Sequence, residues 1–265
     1  MAPELGQLAG PALAAGSGWN HGRMPQRSPD TYRAVAEAAW RWVLDQVRWD
    51  DGPWIPVSVT TPAVTEASWD RDGLHSGVGG LAHVLAEIRS VRPWTAEEQR
   101  LGDGIAERLR RAIPAQTDCT YFDGLVSSLG ALIALQAPGA DEAVARLAVL
   151  AAPGGWPQRV VGEPRYLPDA HVQDLTLGTA GVLLGALWAR RHGVAAAGDV
   201  AGTAADVLLS EAERLPTGLD WQMVPRRYLA GPPGAASVAR RATASSAPGA
   251  WRATRAPREL TSPSK

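Results

Sequence analysis

Three aspartates that recur at a near-constant interval are the residues of this chain whose type and spacing suggest chemistry. Asp72, Asp123 and Asp174 each begin a copy of one phrase, which reads DGLHSGVGGLAHVL, DGLVSSLGALIAL and DLTLGTAGVLLGAL. An aspartate at a helix start has a structural use, because its carboxylate accepts backbone N–H groups and meets the positive end of the helix dipole.

Histidine and cysteine offer few metal-ligand patterns. His75 and His83 lie eight residues apart on one predicted helix, too far for an i, i+4 chelate. His171 and Asp174 lie three residues apart and could share a site, or serve as cap and surface residues. Cys119 is the single cysteine, which excludes an intramolecular disulfide framework and a multi-cysteine zinc site and fits a reducing cytoplasm.

Tryptophan is abundant, with eleven residues against one phenylalanine. Residues 49–52 (WDDG) and 69–72 (WDRD) pair tryptophan with carboxylates, which keeps a glycoside hydrolase open as one interpretation. Turns and helix caps explain the same aspartates without chemistry. The tryptophans are expected to fill the core or, alternatively, to line an aromatic cavity. Arg108, Arg110 and Arg111 are interpreted as a solvated helix face.

Charge and motif content exclude several classes of function. The formal net charge is −1, so bulk electrostatics predict neither a nucleic-acid nor a membrane partner. No uninterrupted apolar run reaches the ~20 residues that a membrane-spanning helix needs. The sequence also has no P-loop, dinucleotide fingerprint, H-E-x-x-H zinc motif or Gly-x-Ser-x-Gly elbow.

The elements that must position these residues are predicted to be helices in an array. Apolar residues keep helical spacing over residues 31–48 and over the segments that carry the three phrases. A pair of small residues recurs inside each phrase at steps of 51 and then 50 residues: Gly77 and Gly80, Ser128 and Ala131, and Gly178 and Gly181. A period of about fifty residues indicates repetition of one supersecondary unit.

The order of outer helix, loop and glycine-bearing inner helix predicts an all-α chain. Helical hairpins that need neighbours to bury their inner faces stack into a solenoid or close into a ring. The small residues are expected to let the backbones of inner helices approach closely. A last outer helix is predicted over residues 199–214, and residues 57–60 are the only candidate strand.

Composition divides the chain into three parts. Residues 1–27 are expected to be a flexible extension, with Met24 as a possible true start, and residues 28–229 carry the repeats. Residues 230–265 are rich in Arg, Ala, Ser and Pro and cannot bury enough apolar surface to fold. Because the repeat stops where the composition changes, a frameshift or truncation near residue 230 is expected.

The repeat phrases resemble those of the lanthionine synthetase C-like family, the cyclases of lanthipeptide biosynthesis. The resemblance covers residues 28–229 and is carried by residues 73–80 (GLHSGVGG) and 174–181 (DLTLGTAG), with the weaker copy at 123–131. It implies an α/α toroid built from helical hairpins, of which this chain would hold the first part. It also implies thioether ring formation, in which a peptide cysteine adds to a dehydrated Ser or Thr.

The family's activity depends on a zinc ion held by two cysteines and one histidine in Trp-Cys-x-Gly and Cys-His-Gly type phrases. Zinc lowers the pKa of a thiol so that it attacks as thiolate. This chain has neither phrase, and Cys119 does not match a ligand. The resemblance therefore predicts a partial and inactive version with no zinc of its own, whereas a complete member would hold zinc.

One functional position of the family has a counterpart here. The family carries an acidic residue at the head of the third inner helix, associated with proton handling near the metal, and Asp174 stands there. The resemblance implies a peptide as the partner, and the open edge of an incomplete ring implies self-association. A noncatalytic peptide-binding scaffold and a toroidal glycoside hydrolase remain the alternatives.

Overall fold

The computed structural model describes residues 28–56, 71–157 and 170–228. The chain divides into two compact units, Met1–Asp45 and Gln46–Lys265. The predicted N-terminal extension, the candidate strand at 57–60, the motif residues Trp69 and Asp70, and the tail at 230–265 lie outside the described residues.

Apart from Ser28, the described residues of the first unit belong to one helix, α1 (Pro29–Gln46), whose last residue counts with the second unit. Proline suits the first turn of a helix because its missing N–H would have no partner there. The Ser28 carbonyl accepts the N–H of Thr31 at 3.0 Å, and the Ser28 hydroxyl lies 2.9 Å from that of Thr31. The helix predicted over residues 31–48 is therefore present, but it begins and ends two residues earlier in the chain.

The second unit is built from six further α-helices in two layers, which confirms the all-α prediction within the described residues. Three of them, α2, α4 and α6, follow the glycine-rich phrases and are called the repeat helices. α2 packs on α4 and α4 on α6, while α3, α5 and α7 lie against them as a second layer. The bounds are α2 Val78–Val91, α3 Ala96–Ala112, α4 Leu125–Leu135, α5 Ala140–Leu150, α6 Thr179–Arg191 and α7 Ala197–Glu211.

A short antiparallel hairpin follows α7. The last helix is predicted to reach residue 214, but it ends at Glu211, before the first strand of this hairpin. Its strands are β1 (Glu213–Leu215) and β2 (Gly218–Asp220), with Leu215 opposite Gly218. Gly218 has φ +140°, a backbone conformation that favours glycine. Three-residue strands carry no alternation that a sequence pattern could reveal.

The repeat helices begin later than their aspartates, and glycines precede them. Gly77, Gly124 and Gly178 are the N-cap residues, and none makes a side-chain cap. In each repeat the first helical N–H donates to the carbonyl seven residues earlier. These bonds join Val78 to Arg71 at 2.8 Å, Leu125 to Asp118 at 2.8 Å, and Thr179 to Val172 at 3.0 Å.

The shared bond defines three head loops, residues 71–77, 118–124 and 172–178, and corrects the register of the middle phrase. The equivalent of Gly77 is Gly124 and not Ser128, so the steps between repeats are 47 and 54 residues. Ser128 lies about one helical turn beyond Gly124, where periodicity cannot separate the two alignments. The three aspartates therefore do not hold equivalent positions, because Asp72, Asp123 and Asp174 lie five, one and four residues before their N-caps.

Head loops are joined to one another by a repeated backbone hydrogen bond. Leu74 donates to the carbonyl of Phe122 at 2.5 Å, and Tyr121 donates to that of Thr176 at 3.1 Å. Each donor lies three residues before the N-cap of its own repeat helix, and each acceptor lies two residues before the N-cap of the following repeat helix. The same pair of positions therefore joins the first head loop to the second and the second to the third.

The glycines of the predicted small-residue pairs lie closest to the head loop of their own repeat, and Gly181 also approaches Tyr121, since an added Cβ would lie 3.1 Å from Cβ of that residue. A Cβ added to Gly80 would lie 2.6 Å from the carbonyl oxygen of Leu74, and one added to Gly181 would meet that of Leu175. Both carbonyls belong to the residue's own head loop. Close approach between repeat helices occurs instead at Gly185, where a Cβ would fall within 3.0 Å of Val126 Cγ1.

Candidate functional site

A cavity of about 250 Å³ lies among the three repeat helices of the second unit. Two head-loop residues and one face of each helix form its wall. Its lining residues are Leu74, His83, Tyr121, Val126, Ser127, Gly130, Leu184, Gly185 and Trp188. The walls are chiefly apolar, with a few polar groups, which is the usual composition of a ligand site.

Glycine makes room for the cavity and brings its aromatic wall together. A Cβ on Gly130 would lie 3.2 Å from the ring of Trp188 and 3.6 Å from Nε2 of His83. The two rings stack at a centroid separation of 6.0 Å and an angle of 24°. One ring comes from α2 and the other from α6, so the glycine of α4 lets side chains of two non-adjacent helices meet.

Ser127 supplies a polar atom without a partner. The residue is 3% exposed, and its hydroxyl accepts and donates no hydrogen bond within the described residues. A buried hydroxyl without a partner costs about 1–3 kcal/mol, so such groups are exceptional in folded proteins. Ser127 also belongs to the lining of the cavity.

His83 is the ionisable imidazole of the cavity. Burial lowers the pKa of His83 below its ordinary value of 6.5, and the charge of Glu87 opposes that shift. A neutral imidazole offers one donor and one acceptor. The cavity therefore presents an uncharged ring, and Ser127, whose hydroxyl is buried, belongs to the same wall.

A larger groove of about 640 Å³ beside α3 is a weaker candidate because Arg89, one of its charged residues, serves the fold. Arg89 lies over the ring of Trp94 and donates to the carbonyls of Ala134 and Leu135 at 2.7 and 2.9 Å. Those bonds satisfy the last carbonyls of α4, which would otherwise lack helical partners.

The three aspartates of the repeat phrases have three different surroundings. Asp174 accepts the N–H of Leu177 at 2.7 Å and so shapes the turn before α6. Asp72 pairs with Arg108 at 2.5 Å. Asp123 directly precedes the N-cap Gly124. A catalytic role for Asp174 stays a prediction, and its observed contact is a structural one.

The sequence suggests that Arg108 belongs to a solvated helix face, but the structure shows that its side chain is largely buried. Its side chain is 13% exposed and also donates to the carbonyl of Asp51 at 2.9 Å. The neighbouring Asp50 accepts the indole N–H of Trp54 at 2.8 Å, and Asp51 and Gly52 both have positive φ. This WDDG motif therefore forms a tight turn, as the structural interpretation of its aspartates expected.

His171 and Asp174 engage different groups instead of sharing a site. His171 is 7% exposed, and its ring stacks on Tyr228 at 5.5 Å. The segment near Tyr228 returns to the third head loop, where Gln173 donates to the carbonyl of Met223 at 2.8 Å. His171 therefore helps to hold the end of the described chain against this loop.

The described residues do not fit the zinc centre that the resemblance implies. Cys119 is 1% exposed, and its thiol lies 3.8 Å from the carbonyl of Thr117. Burial raises the pKa of Cys119 to about 12, with a further contribution from the charge of Asp118. Zinc binds the thiolate, which this site disfavours. No group of three His, Cys, Asp or Glu able to hold a metal occurs within the described residues.

Of the residues that form the cavity, sequence reasoning considered His83, and only as a metal ligand, and it did not consider Ser127. Ser127 lies three residues after its N-cap, the position that Gly80 and Gly181 occupy in the other repeats. A serine in a position otherwise filled by glycine is a signal, but it becomes visible only in the corrected register. Both expectations for the tryptophans have an example here. Trp188 lines the cavity, and Trp156 is fully buried in the core.

Comparison with known proteins adds no relative to these observations. No protein-family model matches the sequence, and no curated protein or solved structure matches it either. Among the described helices, none combines the length and the apolar character needed to cross a membrane.

Proposed function

We propose that this chain is a helical-repeat protein that binds a peptide and holds one of its side chains in the cavity among α2, α4 and α6. The observation that carries this proposal is the buried Ser127 hydroxyl, which lacks a partner in an otherwise apolar cavity. A bound side chain would offset the cost of that hydroxyl and bury its own apolar surface.

The chemistry of the lining defines the preferred side chain. A cavity of about 250 Å³ is smaller than the sites that hold drug-sized ligands, and it suits a single side chain. Ser127 and the neutral imidazole of His83 are uncharged, so a charged side chain would lose its hydration without an ionic partner. The favoured occupant has an apolar body and one hydroxyl group.

The family role of thioether formation is the second candidate function, and the repeat phrases support it. The same phrases support an α/α toroid as the arrangement that this array of repeats would continue. Cysteine chemistry favours binding over cyclisation, because the thiol of Cys119 is buried and its pKa is raised to about 12. Binding without modification of the peptide is therefore the function that we prefer.

Short peptides of the form acetyl-Gly-X-Gly-amide test the proposal. Binding to the full chain is measured by saturation-transfer NMR and titration for the matched pairs X = Tyr and Phe, and X = Thr and Val. We expect the hydroxyl-bearing member to bind about fivefold more tightly, the effect of one hydrogen bond between neutral groups. Equal binding of both members would contradict the proposed role of Ser127.

Two substitutions on α6 locate the binding. Leu184 lines the cavity and is 43% exposed, whereas Leu187 is 49% exposed and lies outside the lining. Leu184→Trp should fill the cavity from its rim and abolish binding, and the matched Leu187→Trp should leave it unchanged. Binding that survives Leu184→Trp would place the peptide elsewhere.

Metal analysis of the purified full chain separates the two candidate functions. A peptide-binding protein of this kind should purify without a stoichiometric metal. One zinc ion per chain, retained after dialysis against a weak chelator, would favour the cyclase.

A further inference from the structure

In the series α2, α4 and α6, residues at corresponding positions lie on the side of each helix that faces the following helix. We call this side the forward face. Six residues after the N-cap stand His83, Gly130 and Leu184. His83 lies against Gly130, and Gly130 lies against Trp188 of α6. Leu184 has the same position on α6 but is 43% exposed. The forward face is thus covered in two repeats and open in the third.

A second position repeats the pattern. Nine residues after the N-cap stand Ala86, Ile133 and Leu187. The first two are half-buried, whereas Leu187 is 49% exposed. Exposed leucines at 177, 184 and 187 follow helical spacing along one side of α6 and its head loop. We call this surface the forward edge.

The backbone bond between head loops ends at the same edge. Leu74 and Tyr121 each donate to the following head loop, and Leu175 is the next donor in this series. Leu175 is 46% exposed, and its N–H has no backbone partner in the part of the chain that the structure describes. The forward edge therefore carries both the apolar surface and the hydrogen-bond donor of a repeat interface.

The opposite side of the array presents the matching surface. Seven residues after the N-cap stand Val84, Ala131 and Gly185. Gly185 lies against Val126 of the preceding helix, and Ala131 is fully buried, but Val84 is 42% exposed. Val91, two turns further along α2, is 81% exposed. We call this surface of α2 the backward edge.

The first repeat also carries a backbone carbonyl at the position that would accept a hydrogen bond from the forward edge. The carbonyls of Phe122 and Thr176 accept the bonds between head loops, and His75 holds the corresponding position in the first loop. His75 is exposed, and its carbonyl accepts no backbone bond among the described residues.

We infer that the forward edge of one copy binds the backward edge of a second copy of this chain. The Leu175 N–H would donate to the His75 carbonyl of the second copy, and the leucines of α6 would cover Val84. Both edges belong to an interface that the chain already forms twice within itself, which is the reason to choose a second copy as the occupant. The contact is head-to-tail, so each copy uses a different edge.

Sedimentation velocity of the full chain over a concentration series tests this inference. Wild-type chain should associate reversibly as its concentration rises. Leu187→Asp and Val84→Asp should each weaken association, because each places a charge in an apolar contact. Leu209→Asp is the matched control, since Leu209 is 65% exposed on α7 and lies on neither edge.

Mixing the two variants gives the decisive result. The Val84→Asp chain keeps its forward edge and the Leu187→Asp chain keeps its backward edge, so a mixture should form a one-to-one complex that neither forms alone. If α6 instead pairs with α6 of another copy, Val84→Asp associates like wild type and mixing restores nothing. Either that result or a monomeric wild-type chain overturns the inference.

The inference can be tested separately from the proposed peptide binding, although Leu184 both lines the cavity and lies on the forward edge. Leu187 and Val84 do not line the cavity, so both variants should bind the tripeptides as wild type does. A wild-type chain that binds the tripeptides but stays monomeric would overturn the association alone, and one that associates without binding them would overturn the peptide binding alone.

Discussion

At the scale of single residues, Ser127 links the fold to the proposed function. The position three residues after the N-cap lies close to the head loop, and two repeats fill it with Gly80 and Gly181. The middle repeat places a serine there, which is buried and has no hydrogen-bond partner within the described residues. A side chain that costs stability and adds a polar group to a cavity suggests a ligand.

Substitution of Ser127 by alanine should separate stability from binding. Removing a buried hydroxyl without a partner is neutral or stabilising, so we expect the free energy of unfolding to stay the same or to rise by up to ~1 kcal/mol. The preference of the cavity for tyrosine over phenylalanine should disappear. Urea unfolding and the tripeptide titration measure the two effects, and a loss of stability above 1 kcal/mol would mean that the hydroxyl has a structural partner.

His83 should make stability depend on pH. Because burial lowers the pKa of His83 in the folded chain, the unfolded chain takes up a proton first as the pH falls through 6.5. The free energy of unfolding therefore decreases on acidification and levels off below the folded pKa. His83→Gln should remove this part of the slope between pH 8 and pH 5, measured by urea unfolding at each pH. An unchanged slope would assign the effect to other groups.

At the scale of elements, glycine sets how closely the repeat helices pack. Gly185 faces Val126 across the contact between α6 and α4, and there is no space for a methyl group. Gly202 lies within α7, where a Cβ would meet nothing within 4 Å. The two glycines occur in similar helices but in opposite surroundings.

Alanine substitutions at these two glycines should have opposite effects. Gly185→Ala should lower the free energy of unfolding by about 1–3 kcal/mol, because the added methyl group forces α6 away from α4. Gly202→Ala should raise it by about 0.5–1 kcal/mol through helix propensity alone. Adding Val126→Ala to Gly185→Ala should recover part of the loss, and a fully additive double variant would contradict the proposed contact.

A capping box illustrates what local sequence can specify at this scale. Thr95 accepts the N–H of Glu98 at 3.2 Å, and the Glu98 carboxylate accepts the N–H of Thr95 at 2.7 Å. The two residue types and their spacing are the sequence signature of such a helix start. The repeat helices lack such a signal, since glycine caps them and the partner of their first N–H lies seven residues away.

At the scale of the whole molecule, the second unit is an array whose repeats join through one kind of contact. Contacts between nearest neighbours dominate the stability of such arrays, and their ends expose the surface that interior repeats bury. Within the described residues, that surface is apolar at both ends of the series of repeat helices. Association of copies is the physical consequence that we expect.

Hydrogen exchange of three backbone amides should show which head loops are hydrogen-bonded to a neighbour. The amides of Leu74 and Tyr121 donate to neighbouring head loops and should exchange slowly, whereas that of Leu175 should exchange fast in dilute chain. At concentrations where the chain associates, the Leu175 amide should become protected. Leu187→Asp should keep it unprotected at every concentration, and protection in that variant would contradict the edge assignment.

Sequence alone determined the helical class, the repetition and most helix positions, because apolar spacing records which side of a helix is buried. Only the tertiary structure decided the register of the middle repeat. Gly124 and Ser128 lie on nearly the same side of one helix, so periodicity treats them alike, and the distinguishing bond joins Leu125 to Asp118 through backbone atoms. The cavity also depended on tertiary structure, because His83, Ser127 and Trp188 come from three helices whose spacing is set by Gly130 and Gly185.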